Sequence, residues 1–381
     1  MGLTTLPGKV VRGSPYLVKE VRAIVSDRTP FFVARPRVVH IWRGAPCNAR
    51  CTLCPWGYLE GEALRPYVES PFTDDLMPRA LAEIAELGGR GTMVSYMGGE
   101  PTLRRGLVDW VEQARALGLD FRFTTNGYLM TGELARRLVA ADVFNVGVSL
   151  DALDPAVNEL TRPYRNGEGT GRAIRAIELI LAERRRQGKR TSVNVKTVLT
   201  DVNLEAFVEI VERYGKVDGV IVTPQLFEVM EGMPEPTRVK LYAKDIARLR
   251  RVLDRVAELK AAGYAVHATP AALDEFVQRY RDDPDHEQTI ADSELTMTPD
   301  APTCNIANDN LWILNGEVKL CPHHRPIGDF VGGSRTLTEL WRSDDARRVR
   351  EQTRACRRLC TISCLRRTPL RHKVSTYLKL G

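Results

Sequence analysis

From residue 38 onward, short apolar runs alternate with longer stretches whose apolar residues recur three and four apart. The first pattern fits buried strands and the second amphipathic helices. Val38–Trp42 reads as a strand. Leu76–Leu87 reads as a helix that stops at Gly88-Gly89. Thr92–Met97, Phe121–Thr125, Val143–Leu150, Ser192–Leu199 and Gly219–Thr223 read as five further strands. Leu103–Leu117, Leu134–Ala141, Arg172–Gln187, Leu204–Tyr214 and Val239–Ala262 read as the helices that follow them, two of them closed by Gly118 and Gly188. Six strand–helix repeats predict an α/β fold with a parallel sheet and right-handed crossovers. The pattern leaves open whether the sheet stays flat or curls into a barrel. In either form a site is expected at the carboxyl ends of the strands.

The flanks break this rhythm. Residues 1–37 read as an irregular lead-in with one helix, about Tyr16 to Val25. Residues 38–235 carry the repeats. Residues 236–303 form a helical connecting region, with a short strand at Tyr264–His267, a helix near Ala271–Tyr280 and an acidic, proline-containing loop at Asp282–Pro302. That region is the expected source of substrate contacts. Residues 304–381 are a separate cysteine-rich unit.

A hydrophobic fraction of 43% and a charged fraction of 27% describe an ordinary globular chain. No apolar run is long enough for a membrane helix, and no export signal is read, so a cytoplasmic protein without membrane contact is expected. The net charge of +7 rests mainly on arginine. It reflects either a GC-rich genome or an anionic partner such as an acidic electron carrier or a phosphorylated substrate. No basic stretch is interleaved with aromatics, which argues against nucleic acid.

The eight cysteines change the picture most. Cys47, Cys51 and Cys54 lie just after the first strand, and Cys304, Cys321, Cys356, Cys360 and Cys364 near the end. None lies between Cys54 and Cys304. Two groups of thiols fit two metal sites better than a disulfide framework. Three thiolates in one loop can each hold one iron of a [4Fe–4S] cube and leave the fourth iron open to a small molecule. Zinc or buried structural thiols are the alternatives, but paired CxxC spacing and nearby histidines are missing.

Cys47-Asn-Ala-Arg-Cys51-Thr-Leu-Cys54 resembles the CxxxCxxC signature of the radical S-adenosylmethionine (SAM) superfamily. Leu53 stands where that family commonly has an aromatic residue. The resemblance implies a partial (β/α)6 TIM-like barrel, a [4Fe–4S] cluster and SAM bound through its amino and carboxylate groups. It also implies reductive cleavage of SAM to a 5′-deoxyadenosyl radical that abstracts hydrogen from substrate. Gly98-Gly99-Glu100 after the second strand resembles the family's GGE motif, which binds the methionyl amino group; by itself it would be a strand-to-helix turn. Asn126 lies in a TNG segment similar to one lining the SAM site, and is equally an ordinary turn residue. Ser149 and Asp151 resemble the family's SLD segment near the ribose, with an N-cap as the alternative for Asp151. Arg162 is a candidate partner of the methionyl carboxylate. Lys196 and Gln225 are polar strand-end residues of undecided direction.

Cys304, an Asn315-Gly316 hairpin leading to Cys321, and Leu340-Trp341 resemble the SPASM/Twitch extension of this family. The full SPASM form has seven cysteines, so five imply one auxiliary [4Fe–4S] cluster. Cys304, Cys321, Cys360 and Cys364 are its expected ligands, with Cys356 close behind Cys360. A helix across 356–364 would hold Cys356 and Cys364 about 12 Å apart, too far for one cube. A spare thiol, Cys356 for instance, would be a hydrogen donor to a substrate radical or idle.

The expected function is radical oxidation or epimerisation of a sugar-like or nucleoside-like small molecule in natural-product biosynthesis, with a flavodoxin- or ferredoxin-type reductant. The alternative is a peptide-modifying enzyme; only about 37 residues precede the first strand, short for a winged-helix peptide-recognition domain. A non-catalytic iron–sulfur electron carrier is the reading from another class.

Overall fold

In the computed structural model the described residues are 33–44, 46–164, 167–230, 232–283, 304 and 306–356. The lead-in helix, nearly all of the acidic loop, Cys360 and Cys364 lie outside them. All six predicted strands of the repeats form: β1 (Val38–Trp42), β2 (Met93–Met97), β3 (Asp120–Thr125), β4 (Asn145–Ser149), β5 (Ser192–Leu199) and β6 (Val220–Leu226). Each pairs in parallel with the next, giving the order of an open, partial (β/α)6 barrel. The helices α1 (Met77–Gly88), α2 (Leu107–Ala116), α3 (Gly132–Ala140), α4 (Gly169–Gln187) and α5 (Leu204–Tyr214) make the crossovers.

Period-two alternation divides the strands into two faces. Val39, Ile41, Val94, Tyr96, Phe121, Phe123, Val146, Val148, Val193 and Val195 are buried in one core with the helices' apolar stripes. The opposite face carries His40, Ser95, Arg122, Thr124, Asn194, Lys196 and Thr223, set by the same registers.

Two expectations are corrected. The helix read over Val239–Ala262 is two pieces, Glu235–Leu241 and α6 (Ile246–Ala261). Asp245 caps α6 by accepting the Arg248 N–H at 2.9 Å, which starts a new helix where periodicity alone ran through. The strand read at Tyr264–His267 is a single bridge, Val222 to Val266, before α7 (Pro270–Asp282).

The late hairpin has an unexpected position. β7 (Asn310–Leu314) pairs in parallel with β1, residue for residue, and β8 (Glu317–Lys319) and β9 (Gly328–Asp329) follow antiparallel. The sheet thus runs β6-β5-β4-β3-β2-β1-β7-β8-β9. Asn315 and Gly316 take φ of 50° and 104° at the hairpin tip, the left-handed turn that Asn-Gly favours. Two helices follow, α8 (Leu337–Arg342), opened by a Thr336/Glu339 capping box, and α9 (Asp344–Ala355). Trp341 is buried, donates to the Ala34 carbonyl at 3.0 Å and lies under the Arg350 guanidinium.

Candidate active site

The cysteine loop leaves β1 and is held by the ends of three other strands. At β2, the Glu100 N–H donates to the Pro46 carbonyl at 2.8 Å. After β3, the Asn126 amide donates to the Asn48 side-chain oxygen at 2.8 Å. In the loop after β4, the Thr161 carbonyl accepts the Thr52 N–H at 3.0 Å. A segment with no regular structure across its three thiols is thereby fixed at the carboxyl end of the sheet.

Gly98 and Gly99 permit the first of these locks. Their φ values are 98° and 54°, and a Cβ would stand 2.2 Å from the Arg43 carbonyl oxygen at Gly98 and 2.4 Å from that of Pro46 at Gly99. Only glycine accepts both the backbone conformation and the approach. Glu100 joins this turn to the next. Its Oε1 accepts from the Thr102 N–H (3.0 Å), the Thr102 hydroxyl (2.6 Å) and the Thr125 hydroxyl (2.6 Å), and Oε2 accepts the Asn126 N–H at 2.7 Å. Burial nonetheless pushes the carboxyl above its ordinary range, against these donors. Asn126 accepts the Tyr128 N–H at 2.9 Å through the same side chain that holds Asn48. Ser149 ends β4, half-buried, in register with Lys196.

Asp151 and Arg162, expected to meet different parts of SAM, pair with each other instead, Arg162 Nε lying 2.7 Å from Oδ2. Asp151 is fully buried, and its oxygens also accept the Thr161 hydroxyl (2.7 Å) and the Val198 N–H (2.9 Å). Protein donors thus surround its carboxylate and tie it to the loop after β4. It is not an N-cap; Asp154 caps the short helix Pro155–Asn158. Arg162 also donates to the Cys51 thiol.

Burial pushes the Cys47 thiol up to about 11 and Cys54 up to about 12, and raises Cys51 against the pull of Arg162. A thiolate is the metal-binding form, so these groups would release their protons on binding iron. As placed, the described residues contain no three His, Cys, Asp or Glu side chains converging on one ion. The donor set itself fits a cube: three thiols from one loop, mutually within electrostatic reach, with no carboxylate or imidazole among them. Leu53 packs partly buried on the main core.

The second thiol group is partly brought together. Cys304 and Cys321 share a small apolar cluster with Ile306, Trp312, Leu314 and Met97. Met97 immediately precedes Gly98, so this cluster adjoins the turn that holds the first loop. Cys356 caps α9 in extended conformation, ψ 123°, so the helix does not continue through it.

The inner face was missed as a group in the sequence. His40 is buried, stacked on Trp312 at 3.9 Å, with Nε2 3.0 Å from the Asn310 side-chain oxygen. Lys196 crosses β4 at Gly147 and donates to the Thr124 hydroxyl at 2.9 Å; Arg122 donates to the Ser95 hydroxyl at 3.0 Å. Gln225 is exposed. The signal was present: single polar residues at alternate positions in runs such as Phe-Arg-Phe and Val-Asn-Val-Lys.

Comparison with known proteins adds to this geometry. Residues 44–214 match the radical SAM superfamily. A mycofactocin maturase MftC of Mycobacterium tuberculosis is 34% identical over 128 residues, 32% of this chain and 30% of that protein. A probable GTP 3′,8-cyclase of Methanopyrus kandleri is 33% identical over 189 residues, 49% of this chain and 55% of that protein. These matches therefore span about a third to a half of those relatives' length. Among solved structures, Streptococcus suis SuiB bound to its precursor peptide SuiA superposes with a TM-score of 0.58 at 16% identity, covering 86% of this chain and 69% of SuiB. That likeness is one of fold. Among the described residues no helix is long and apolar enough to cross a membrane.

Proposed function

We propose that this chain, a radical SAM enzyme, acts on a peptide substrate, with its catalytic [4Fe–4S] cluster on Cys47, Cys51 and Cys54. The observation that carries the cluster assignment is the threefold fastening of the cysteine loop to the ends of β2, β3 and the loop after β4. A cluster bound there supplies, on reduction, the cleavage of SAM to a 5′-deoxyadenosyl radical. The chain's own residues shape the place for it. Glu100 fixes the glycine turn against the loop, Gly98 and Gly99 bring backbone close to it, and the Asp151–Arg162 pair braces Cys51 from behind. Gly98, Gly99, Glu100, Asn126 and Ser149 are the candidates for contacts to SAM, and the ion pair between Asp151 and Arg162 supports reading these two as positioning residues.

A peptide replaces the small sugar-like metabolite as the leading substrate. The support is the likeness in sequence to a mycofactocin maturase and in fold to a peptide-bound SuiB. The GTP 3′,8-cyclase match keeps a nucleotide as the second reading. Cys304 and Cys321, together with Cys360 and Cys364, would hold one auxiliary [4Fe–4S] cluster, and the apolar cluster shared by the first two supports this. Cys356 would then stand outside the set.

The test presents a randomised peptide library to the anaerobically reconstituted enzyme with SAM and a reductant, read by mass spectrometry. The expected result is a SAM-dependent mass change in a subset of peptides, absent with Cys51→Ala. SAM cleavage stimulated by GTP, with every peptide unchanged, would contradict the peptide reading in favour of the nucleotide.

A further inference from the structure

Among the described residues, several buried polar atoms near the cysteine loop have no hydrogen-bond partner, and one of them belongs to Tyr164. The Tyr164 hydroxyl is screened from solvent and makes no hydrogen bond. Its surroundings are those of the site: Cys51, Arg162, Glu100 and Cys47 all act on it electrostatically. The ring is not loosely placed. It stacks on Tyr128, with centroids 5.0 Å apart and planes 4° from parallel, and Arg172 lies over the Tyr128 ring. A Cβ at Gly169 would come within 2.0 Å of the Tyr164 ring, so that glycine makes room for it. Tyr128 is tied in turn to Asn126, whose side chain also holds Asn48 between Cys47 and Cys51.

A buried hydroxyl without a partner is costly, and such groups in folded proteins usually find one. Among the described residues, the charged groups that act on it are poor acceptors. Asp151 is committed to Thr161, Arg162 and Val198, and Glu100 to Thr102, Thr125 and Asn126. Arg162 is a donor only. The proposed function commits the thiols of Cys47 and Cys51 to iron. The acceptor would therefore arrive with a ligand.

We propose that the Tyr164 hydroxyl donates a hydrogen bond to the carboxylate of SAM, in the role that sequence reasoning gave to Arg162. The assignment rests on the radical SAM reading and deepens it. Its chemistry fits: a phenol O–H donates well to a carboxylate, whereas Arg162 is already engaged by Asp151 and Cys51. The aromatic stack would hold the donor in place before SAM binds, which lowers the ordering cost of binding.

The experiment compares wild-type protein with Tyr164→Phe, both reconstituted anaerobically. Each is measured for iron content, thermal stability, SAM affinity and the change in the reduced cluster's EPR spectrum on adding SAM. Phenylalanine keeps the ring and its stack. The expected result is unchanged iron and melting temperature, SAM binding about 10- to 100-fold weaker, and a diminished SAM-induced spectral change. Equal SAM affinity and equal spectra in the two proteins would overturn the assignment. So would loss of iron from Tyr164→Phe, because the hydroxyl would then serve the cluster and not SAM. Wild-type protein that holds iron yet binds no SAM would overturn the parent reading along with it.

Discussion

The two thiol regions are built on opposite principles. Cys47, Cys51 and Cys54 sit within eight residues of one loop, and the turns after β2 and β3 and the loop after β4 grip it through hydrogen bonds to Pro46, Asn48 and Thr52. Cys304 and Cys321 lie far apart in sequence, and apolar packing around Trp312 and Ile306 brings them into one cluster. The first region takes its shape from the barrel. The second takes its shape from a hairpin added beside β1. The two should therefore respond differently to change: the loop is held by hydrogen bonds at three points, whereas the Cys304–Cys321 pair is held by apolar packing. The two regions touch through Met97, whose side chain belongs to the second and whose backbone leads into the Gly98 turn of the first.

The largest expected contrast comes from removing one thiol from each. Cys51→Ala should lose about four irons and all SAM cleavage, because the proposed catalytic cube has only three protein ligands. Cys321→Ala should also lose about four irons yet still form 5′-deoxyadenosine under reduction, with peptide product lost. Iron counting with chromatographic detection of 5′-deoxyadenosine checks both; equal loss of cleavage in the two variants would erase the distinction.

Glycine turns provide the next test. Gly98→Ala meets the Arg43 carbonyl at a φ of 98°, and neither backbone can yield. A loss of at least about 3 kcal/mol is expected in denaturant unfolding, together with weakened SAM binding. Gly316→Ala, at a φ of 104°, meets chiefly the Val331 side chain at 2.8 Å, which can move. It should cost about 1 kcal/mol and leave SAM binding intact.

A further test concerns pH, at the junction of the regions. Burial first, then the field of Arg122, holds His40 at a pKa of about 3, below its ordinary 6.5; the hydrogen bond to Asn310 opposes this. A folded value below the unfolded one means the contribution is complete above pH 6.5 and is lost as pH falls toward 3. Between pH 6.5 and 5 the loss should be about 2 kcal/mol. In His40→Asn the slope of unfolding free energy against pH should flatten over that interval, and an unchanged slope would place the titrating group elsewhere.

The parts of this molecule that the sequence made legible are local. Each strand of the six repeats forms close to its apolar run, and the cysteine loop announces itself because its three thiols are neighbours. Contacts between distant segments were illegible. Nothing in Val38–Trp42 and Asn310–Leu314 says that they pair in parallel, with the whole barrel between them in sequence. The Asp151–Arg162 pair was similarly hidden: nothing in the sequence says that the turn at Asp154–Thr161 folds one onto the other. Tyr164 gave no signal, since an orphaned hydroxyl is a property of its surroundings and not of its type. The inner-face residues were readable in principle from polar positions alternating within buried strands.

Whether the three-thiol loop builds a cluster that cleaves SAM can be measured directly. The direct measurement is 5′-deoxyadenosine formation by anaerobically reconstituted wild-type protein with SAM and a strong reductant, alongside Cys51→Ala and a total iron count. Turnover in the wild type, none in the variant, and about eight irons falling to about four are the expected result. Wild-type protein that holds its irons and forms no 5′-deoxyadenosine under reduction, even with peptide or nucleotide substrates added, would contradict a SAM-cleaving cluster on this loop.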